Sequence, residues 1–462
     1  MTDERYEPLA FDGSYVGPSL RNWQKKALGA WEDSGSRGVV EAITGTGKSL
    51  VGIAAIRQVV AEGGKALVLV PTRALLTQWH LDIRRKLPQA RVGAFTSGRR
   101  DSFRDFDVIV STVQSACKNP PLPTSLGLLV ADEVHRYGSA QFSKALHPAF
   151  ERRLALSGTY ERQQDSGIET YLAPYFGPIV SSYGYSEALR DKVVSPFRVA
   201  LVGTTFNASE SKAYKKASED ASDARFKLRG EYFYPDDWSE FFSLVQRRLR
   251  PGGDQKRPVW DAETELCSKY MAAFALRRSI LAEAKDKEDF VAKLGDAFAD
   301  LSGTLVLTET KESATRLAWL IDRQTSAWPL TSDSPASERE EKLRRFAGGK
   351  IKVLCAPRIL DEGIDVPEAE LAVIVAASQT RRQMVQRMGR VIRLKADRRE
   401  ARMIILYVEG TAEDPFNGGH EAFLDQILPF AREQVSFNAT EVDRVGSWLI
   451  GQPAKARTPA LR

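Results

Sequence analysis

One short segment constrains the fold of this chain more than any other. Ile43-Thr44-Gly45-Thr46-Gly47-Lys48-Ser49 follows an apolar run, Gly38–Ile43, that reads as a strand. It leads into Lys48–Ala61, where Leu50, Val51, Ile53, Ala54, Ile56, Val59 and Val60 recur at helical spacing and Gly63–Gly64 ends the pattern. A glycine-rich turn between strand and helix can aim successive backbone N–H groups at one point, and the helix N-terminus adds positive potential there. Thr44, Gly45, Thr46 and Gly47 form such a cradle for phosphate. Lys48 has the reach for β- and γ-phosphates, and the Ser49 hydroxyl can hold Mg²⁺. Ala42 stands where the usual pattern begins with glycine.

The surrounding pattern predicts an α/β fold. After the first strand come Ala66–Val70, Val108–Ser111, Leu128–Ala131 and Leu154–Ser157 as short apolar strands, with Ala74–Leu87 helical, in an alternating stretch that runs to about Val202. Continuous apolar strands alternating with helices imply a parallel sheet covered on both faces. A second such stretch runs from Gly303 to about Glu409. Its expected strands are Thr304–Thr308, Lys352–Cys355, Leu371–Val375 and Met403–Tyr407, and its expected helices Lys311–Gln324, Ser337–Phe346 and Arg382–Val391. Between them, Glu210–Leu228, Asp236–Leu249 and Glu263–Phe298 read as helices rich in Ala, Lys, Glu and Arg. The expected organisation is therefore a first parallel-sheet domain over 1–205, a helical insertion over 206–300, a second parallel-sheet domain over 301–430 and a tail over 431–462. The insertion holds Tyr232, Phe233, Tyr234, Trp238, Phe241 and Phe242, and packing of these rings into the insertion's own core is the favoured reading over a base-stacking surface.

Composition narrows the class. The 462 residues are 43% hydrophobic and 27% charged, an ordinary globular balance. Ala66–Val70 and Leu371–Ala377 fall far short of the ~20 apolar residues of a membrane helix, and the acidic, polar Met1–Pro8 is unlike a secretory signal. A cytoplasmic protein without membrane contact is expected. The three cysteines, Cys117, Cys267 and Cys355, are widely separated and read as buried apolar residues. With four histidines besides, a structural zinc site is not expected. The net charge of +6 permits binding to a phosphate backbone without requiring it.

Leu128–Ala131 runs into Asp132-Glu133-Val134-His135, two carboxylates at a strand end. With a phosphate loop upstream, Asp132 is expected to support Mg²⁺ and Glu133 to polarise the attacking water. Here the chain resembles the superfamily-two helicases. Asp132–His135 is a DExH box, and Ala42–Ser49 is similar to that family's variant phosphate loop. Leu20-Arg21-Asn22-Trp23-Gln24 resembles the adenine-reading element, Pro71-Thr72-Arg73 motif Ia, and Ser111-Thr112-Val113-Gln114 motif Ib. Ser157-Gly158-Thr159 resembles motif III, with Tyr160 where proline is common, and Thr308-Glu309-Thr310 resembles motif IV. Asp361–Pro367 resembles motif V, and Gln386–Arg393 the QxxGRxxR of motif VI. The resemblance spans about Leu20 to Glu409 and is closest to the XPB and type III restriction-helicase branch, whose members mostly act on DNA. No nuclease signature accompanies it.

The resemblance implies two RecA-like domains and ATP with Mg²⁺ as cofactors. Arg21 and Gln24 would hold and read adenine, and Thr44–Ser49, Gly363 and Asp365 would contact the nucleotide. Ser49 and Asp132 would hold Mg²⁺, Glu133 would act as general base, and Gln386 would position water. Arg390 and Arg393, three apart on a helix, would come from the second domain to stabilise transition-state charge beside Lys48. Thr72, Arg73, Thr112 and Thr310 would hold strand phosphates without reading bases. The implied function is an ATP-dependent DNA helicase or translocase acting on single strands or on duplex with a single-stranded region. Partner proteins would supply nuclease or targeting functions. Two alternatives stand beside it: an RNA helicase, and an ATP-gated nucleic-acid-binding subunit that does not separate strands.

Overall fold

The computed structural model describes residues 13–158, 160, 167–249, 261–357, 369–376, 400–417 and 427–451. They fall into two compact units, one ending at Pro196 and one beginning at Phe197.

The first unit is built on a seven-stranded sheet. Its strands are β1 (Arg37–Ala42), β2 (Lys65–Val70), β3 (Val92–Phe95), β4 (Val108–Thr112), β5 (Gly127–Asp132), β6 (Arg152–Ser157) and β7 (Ile179–Tyr183). They pair in the order β3-β4-β2-β5-β6-β1-β7, parallel throughout. Its helices are α1 (Asn22–Asp33), α2 (Lys48–Ala61), α3 (Arg73–Lys86), α4 (Val113–Ala116), α5 (Ala173–Phe176) and α6 (Tyr185–Arg190). Parallel neighbours need crossovers, and the crossovers bury the strands; every residue of β4 and β5 is buried. Leu67, Leu69, Ile109, Leu129, Phe150 and Phe176 share one core. Because all strands run the same way, Ala42, Val70, Thr112, Asp132 and Ser157 end at one edge of the sheet. That edge is where open α/β sheets bind ligands.

The second unit has its own seven-stranded parallel sheet, ordered β10-β11-β9-β12-β13-β8-β14. The strands are β8 (Phe197–Thr204), β9 (Thr304–Leu307), β10 (Ala327–Pro329), β11 (Val353–Ala356), β12 (Leu371–Ile374), β13 (Ala401–Val408) and β14 (Glu433–Asn438). Its helices are α7 (Ala208–Tyr232), α8 (Trp238–Arg248), α9 (Ala262–Ala282), α10 (Lys285–Lys293), α11 (Gly295–Ala299), α12 (Lys311–Ile321), α13 (Ala336–Ala347) and, at the C-terminal side, α14 (Val442–Leu449). The helix expected over Arg382–Val391 lies outside the described residues.

Three boundaries differ from the sequence expectation. The first unit ends before Phe197, not at 205, because β8 pairs with β13 from Phe197↔Ala401 to Thr204↔Val408. An apolar strand that long buries both faces only between two neighbours, and local pattern does not reveal which sheet supplies them. Residues 433–449 are not a tail: β14 is the edge strand beyond β8, and Trp448 is buried in the same core. Glu263–Phe298 is not one helical run. It breaks around Glu283–Ala284, and Phe290, Val291, Leu294 and Phe298 pack into the second sheet's core. The arm proper is therefore α7–α9.

The arm has its own core, in which Ala221, Ala224 and Leu228 of α7 meet Cys267, Tyr270 and Ala273 of α9 and Phe241 and Val245 of α8. Asn207 and Glu210 cap α7 reciprocally. The aromatic cluster divides. Phe241 is fully buried and packs edge-on to Tyr270 and Tyr234, whereas Trp238 stacks on Phe242 and stays 44% exposed. Phe233 is 89% exposed in left-handed backbone. Among the described residues no helix is long and apolar enough to cross a membrane.

The division generates a test. Phe241→Ala leaves a cavity and should cost about 3–5 kcal/mol. Trp238→Ala should cost less than half as much, because part of the ring is already in water. Urea unfolding of both variants checks this, and equal losses contradict the division.

Candidate active site

The phosphate loop opens where β1 ends. Gly45 and Gly47 hold φ of 91° and 90°, a region that costs an L side chain ~1–2 kcal/mol. Gly47 is also the N-cap of α2. The Thr46 hydroxyl donates to the Ile43 carbonyl at 2.7 Å and closes the turn. Two polar atoms inside this turn are buried and make no hydrogen bond: Lys48 Nζ and Thr44 Oγ1. The carboxylate oxygen Glu133 Oε1 lies 4.0 Å from Lys48 Nζ. Gly158, after β6, keeps the space open. A Cβ there would sit 3.2 Å from Lys48 Nζ and 3.4 Å from Thr44 Oγ1. Buried polar groups normally find partners. A buried ammonium and hydroxyl that make no hydrogen bond, at the N-terminus of α2, fit an anionic oxygen cluster such as a triphosphate.

The two acids occupy different environments. Asp132 is buried; Trp79 Nε1 donates to its Oδ2 at 2.8 Å, and its Oδ1 accepts from the Glu133 N–H at 3.0 Å. Burial, with the Glu133 charge adding to it, pushes the Asp132 carboxyl up to about 6. Two adjacent carboxylates are a donor set that fits Mg²⁺, and a divalent cation there would draw the Asp132 carboxyl down again. Glu133 itself is in left-handed backbone, φ 51°. Tyr137 anchors the turn, donating from one hydroxyl towards both Asp132 O at 2.6 Å and Leu69 O at 3.0 Å. The turn aims the Glu133 carboxylate between Lys48 and His135, whose Nδ1 is 3.5 Å from Glu133 Oε2 and 3.0 Å from Ser157 Oγ. The strand ends of β5 and β6 are thus joined through His135.

Arg21 and Gln24 act on the loop from α1. Gln24 is fully buried; its Nε2 donates to Gly47 O at 3.0 Å and its Oε1 accepts from Arg21 N at 2.8 Å. Arg21 Nη1 donates to Thr46 O at 3.2 Å. Both side chains brace the phosphate loop, a task the sequence reading did not assign them. Trp23 stacks on Tyr183 at 4.6 Å. Beside them a cleft of about 740 Å³, lined by Arg21, Trp23, Lys26, Tyr183 and Glu187, has room for a nucleobase. The Tyr160 N–H donates to Glu41 Oε1 at 2.7 Å. Proline has no such N–H, so the departure in motif III is matched by an acceptor at the end of β1.

The four residues expected to touch nucleic acid start helices at strand ends. Thr72 caps α3, accepting from Leu75 N at 3.3 Å. Thr310 caps α12, accepting from Ser313 N at 3.1 Å. Thr112 precedes α4, and its hydroxyl shares a 3.0 Å hydrogen bond with Ser115. Arg73 is exposed and donates to Ser97 Oγ at 3.0 Å. These threonines mainly orient helix N-termini, whose N–H groups suit phosphate. Thr72, Arg73 and Thr112 lie in the first unit on the edge that carries the loop and the acids, and Thr310 lies in the second. Gly363, Asp365, Gln386, Arg390 and Arg393, with Thr159, lie outside the described residues. Trp79, Tyr137 and Glu41 were missed. Trp79 reads as one more apolar position of an amphipathic helix, and only its partner distinguishes it.

Lys48→Ala tests the pocket. Loss of its only buried ammonium should cut nucleotide hydrolysis by about 10²–10³-fold. The protein should stay folded, with a lower melting temperature at most from loss of the ion pair to Glu133. Phosphate release and calorimetry on the same preparation check both, and parental turnover contradicts the assignment.

Comparison with known proteins agrees with this geometry. Residues 17–162 match the family model of the type III restriction enzyme res subunit, and residues 291–395 that of the helicase conserved C-terminal domain. The chain is 29% identical over 401 residues to the DNA 3'-5' translocase XPB2 of Sulfurisphaera tokodaii, covering 85% of this chain and 82% of that protein. It is 24% identical to the DNA 3'-5' helicase XPB of Mycobacterium tuberculosis, covering 82% of this chain but only 59% of the relative. Among solved structures, Saccharomyces cerevisiae Dbp5 bound to RNA and ADP BeF3 superposes with a TM-score of 0.58 at 14% identity, over 93% of this chain and 92% of that one. The Pyrococcus furiosus Hef helicase domain superposes with 0.51 at 19% identity, over 85% and 98%. These likenesses show the fold, two RecA-like domains. The two family matches, in chain order, show that the chain carries helicase domains, and with a DExH glutamate facing a phosphate-loop lysine they make it similar to the superfamily-two DExH-box helicases of the XPB and type III restriction-helicase branch.

Proposed function

We propose that this chain is an ATP-driven DNA motor, a helicase or translocase that moves along one strand. The observation that carries the reading is the buried Lys48 ammonium without a hydrogen bond, with the Glu133 carboxylate 4.0 Å away. It supports a site shaped for a γ-phosphate and its attacking water. The preference for DNA, and for 3'-to-5' movement, rests on the XPB relatives.

Lys48, Thr44 and the N–H groups of Gly45–Ser49 bind the β- and γ-phosphates, and the cleft beside Arg21 and Trp23 takes the base. Ser49 and Asp132 hold Mg²⁺, which when bound neutralises phosphate charge. A water oxygen attacks the γ-phosphorus as the bond to the β–γ bridging oxygen breaks, and Glu133 accepts the water's proton. His135 and Ser157 carry the change at Glu133 to the end of β6. Gln386, Arg390 and Arg393 keep the roles implied by their motif, water positioning and charge stabilisation, and Gly363 and Asp365 contact the nucleotide. Thr72, Arg73, Thr112 and Thr310 hold strand phosphates at the helix N-termini they start. Partner proteins supply any nuclease or targeting activity.

ATP turnover measured with single-stranded DNA, overhanging duplex, RNA and no nucleic acid tests the proposal. DNA should stimulate turnover by up to about 10²-fold, the lower end of what a positioned catalytic group contributes. Equal stimulation by RNA contradicts the DNA assignment, and no stimulation by any strand contradicts the motor. Displacement of a duplex strand beside displacement of a triplex strand then separates unwinding from translocation alone.

A further inference from the structure

The arm is fastened at its root to the one loop of the second unit that we assign to strand binding. Arg278, in the last turns of α9, donates to Glu309 Oε1 at 2.9 Å, with the carboxylate only 14% exposed. Glu309 is the centre of Thr308-Glu309-Thr310, which leaves β9 and starts α12. The loop is held from within by Thr308, whose hydroxyl donates to the Thr310 carbonyl at 2.9 Å. A second bond runs from the loop back to the end of α9: the Thr310 hydroxyl donates to Glu283 at 3.4 Å. The other end of the arm arrives at the same place. Glu210, in the first turn of α7, accepts from Asn207 N at 3.0 Å and from Lys285 N at 2.9 Å. Asp286 accepts from Thr205 N at 2.8 Å. Both ends of a long helical hairpin therefore meet at one root, joined by these directional polar bonds and by a small apolar cluster of Leu281, Ala284, Val408, Phe206 and Tyr214.

We propose that Arg278 is a positioning residue for nucleic-acid binding: through Glu309 it couples the orientation of the arm to the placement of the Thr308–Thr310 loop. This rests on the motor reading given above. An apolar joint slides at little cost, but a guanidinium–carboxylate bond has a fixed geometry. When the arm turns about its root, Glu309 follows Arg278 and the N-terminus of α12 follows Glu309. The arm is then a lever on the strand grip and does not itself need to contact a base.

Half-saturating single-stranded DNA in the ATPase assay, read for Arg278→Gln, Glu309→Gln and the double variant, tests this. Each single variant should raise the half-saturating concentration about tenfold while turnover at saturating DNA stays within about threefold. The double variant should be no worse than either single one, since both remove the same bond. Melting temperatures establish that each variant is folded. Three results overturn the proposal. In the first, half-saturation is unchanged while melting falls, which makes the bond structural only. In the second, the two effects multiply. In the third, Glu309→Gln tightens DNA while Arg278→Gln weakens it, which makes Arg278 a direct phosphate contact. A parent protein that does not respond to DNA sinks the motor reading together with this inference, whereas a responsive parent whose variants half-saturate at the parental concentration sinks the inference alone.

Discussion

The first unit is organised around one buried ammonium group. Lys48 Nζ is buried without a hydrogen bond, facing a carboxylate oxygen at 4.0 Å. Burial of an ammonium with one distant carboxylate and no hydrogen bond is costly, and rigid features of the surrounding chain hold it in place. Two left-handed glycines fix the loop, Thr46 closes it, and Gln24 and Arg21 bind its carbonyls from α1. Gly158 gives the ammonium room. Asp132 and Glu133 follow from the same constraint. One is buried and held by Trp79, and the other is turned into left-handed backbone so that its carboxylate faces the lysine. Removal of any brace would let the loop relax onto its own polar atoms and lose the phosphate site.

The parallel sheets convert this local arrangement into a functional edge. β5 lies between β2 and β6, with β1 beyond β6. The acids, the motif III serine, the phosphate loop and the start of α3 therefore lie at successive strand ends. The second unit repeats the architecture, with Thr308–Thr310 following β9 and the arm rooted beside it. In both units, threonines at strand ends serve first as helix caps, which is why helix N-termini are available there.

Much of this was legible in the sequence because it is local. The loop 43–49 is contiguous, its flanking strand and helix have clear periodicity, and Asp132-Glu133 sits at the end of an apolar run. What was not legible depends on pairing across the chain. β8 looked like a continuation of the first domain because strand pattern does not name a neighbour. β3 and β7 are short strands that carry glycine or serine in place of continuous apolar side chains, β10 ends in Pro329, and β14 alternates polar residues on an exposed edge. Trp79 and Tyr137 read as ordinary core, and only their partners, Asp132 Oδ2 and the Asp132 carbonyl, make them part of the site. In the arm, Trp238 and Phe241 have similar sequence surroundings, yet helical phase buries one and exposes the other.

In the proposed motor, Glu133 performs chemistry at a site built independently around Lys48, and this chemistry controls the grip on a strand. Glu133→Gln keeps the shape and removes the base. ATP affinity and DNA affinity measured on this variant, beside single-turnover hydrolysis, test the claim most directly. ATP should bind about as tightly as to the parent, hydrolysis should be slower by about 10²–10⁴-fold, and DNA should be held more tightly with ATP present than without it. Loss of ATP binding, or DNA affinity indifferent to ATP, would contradict the claim.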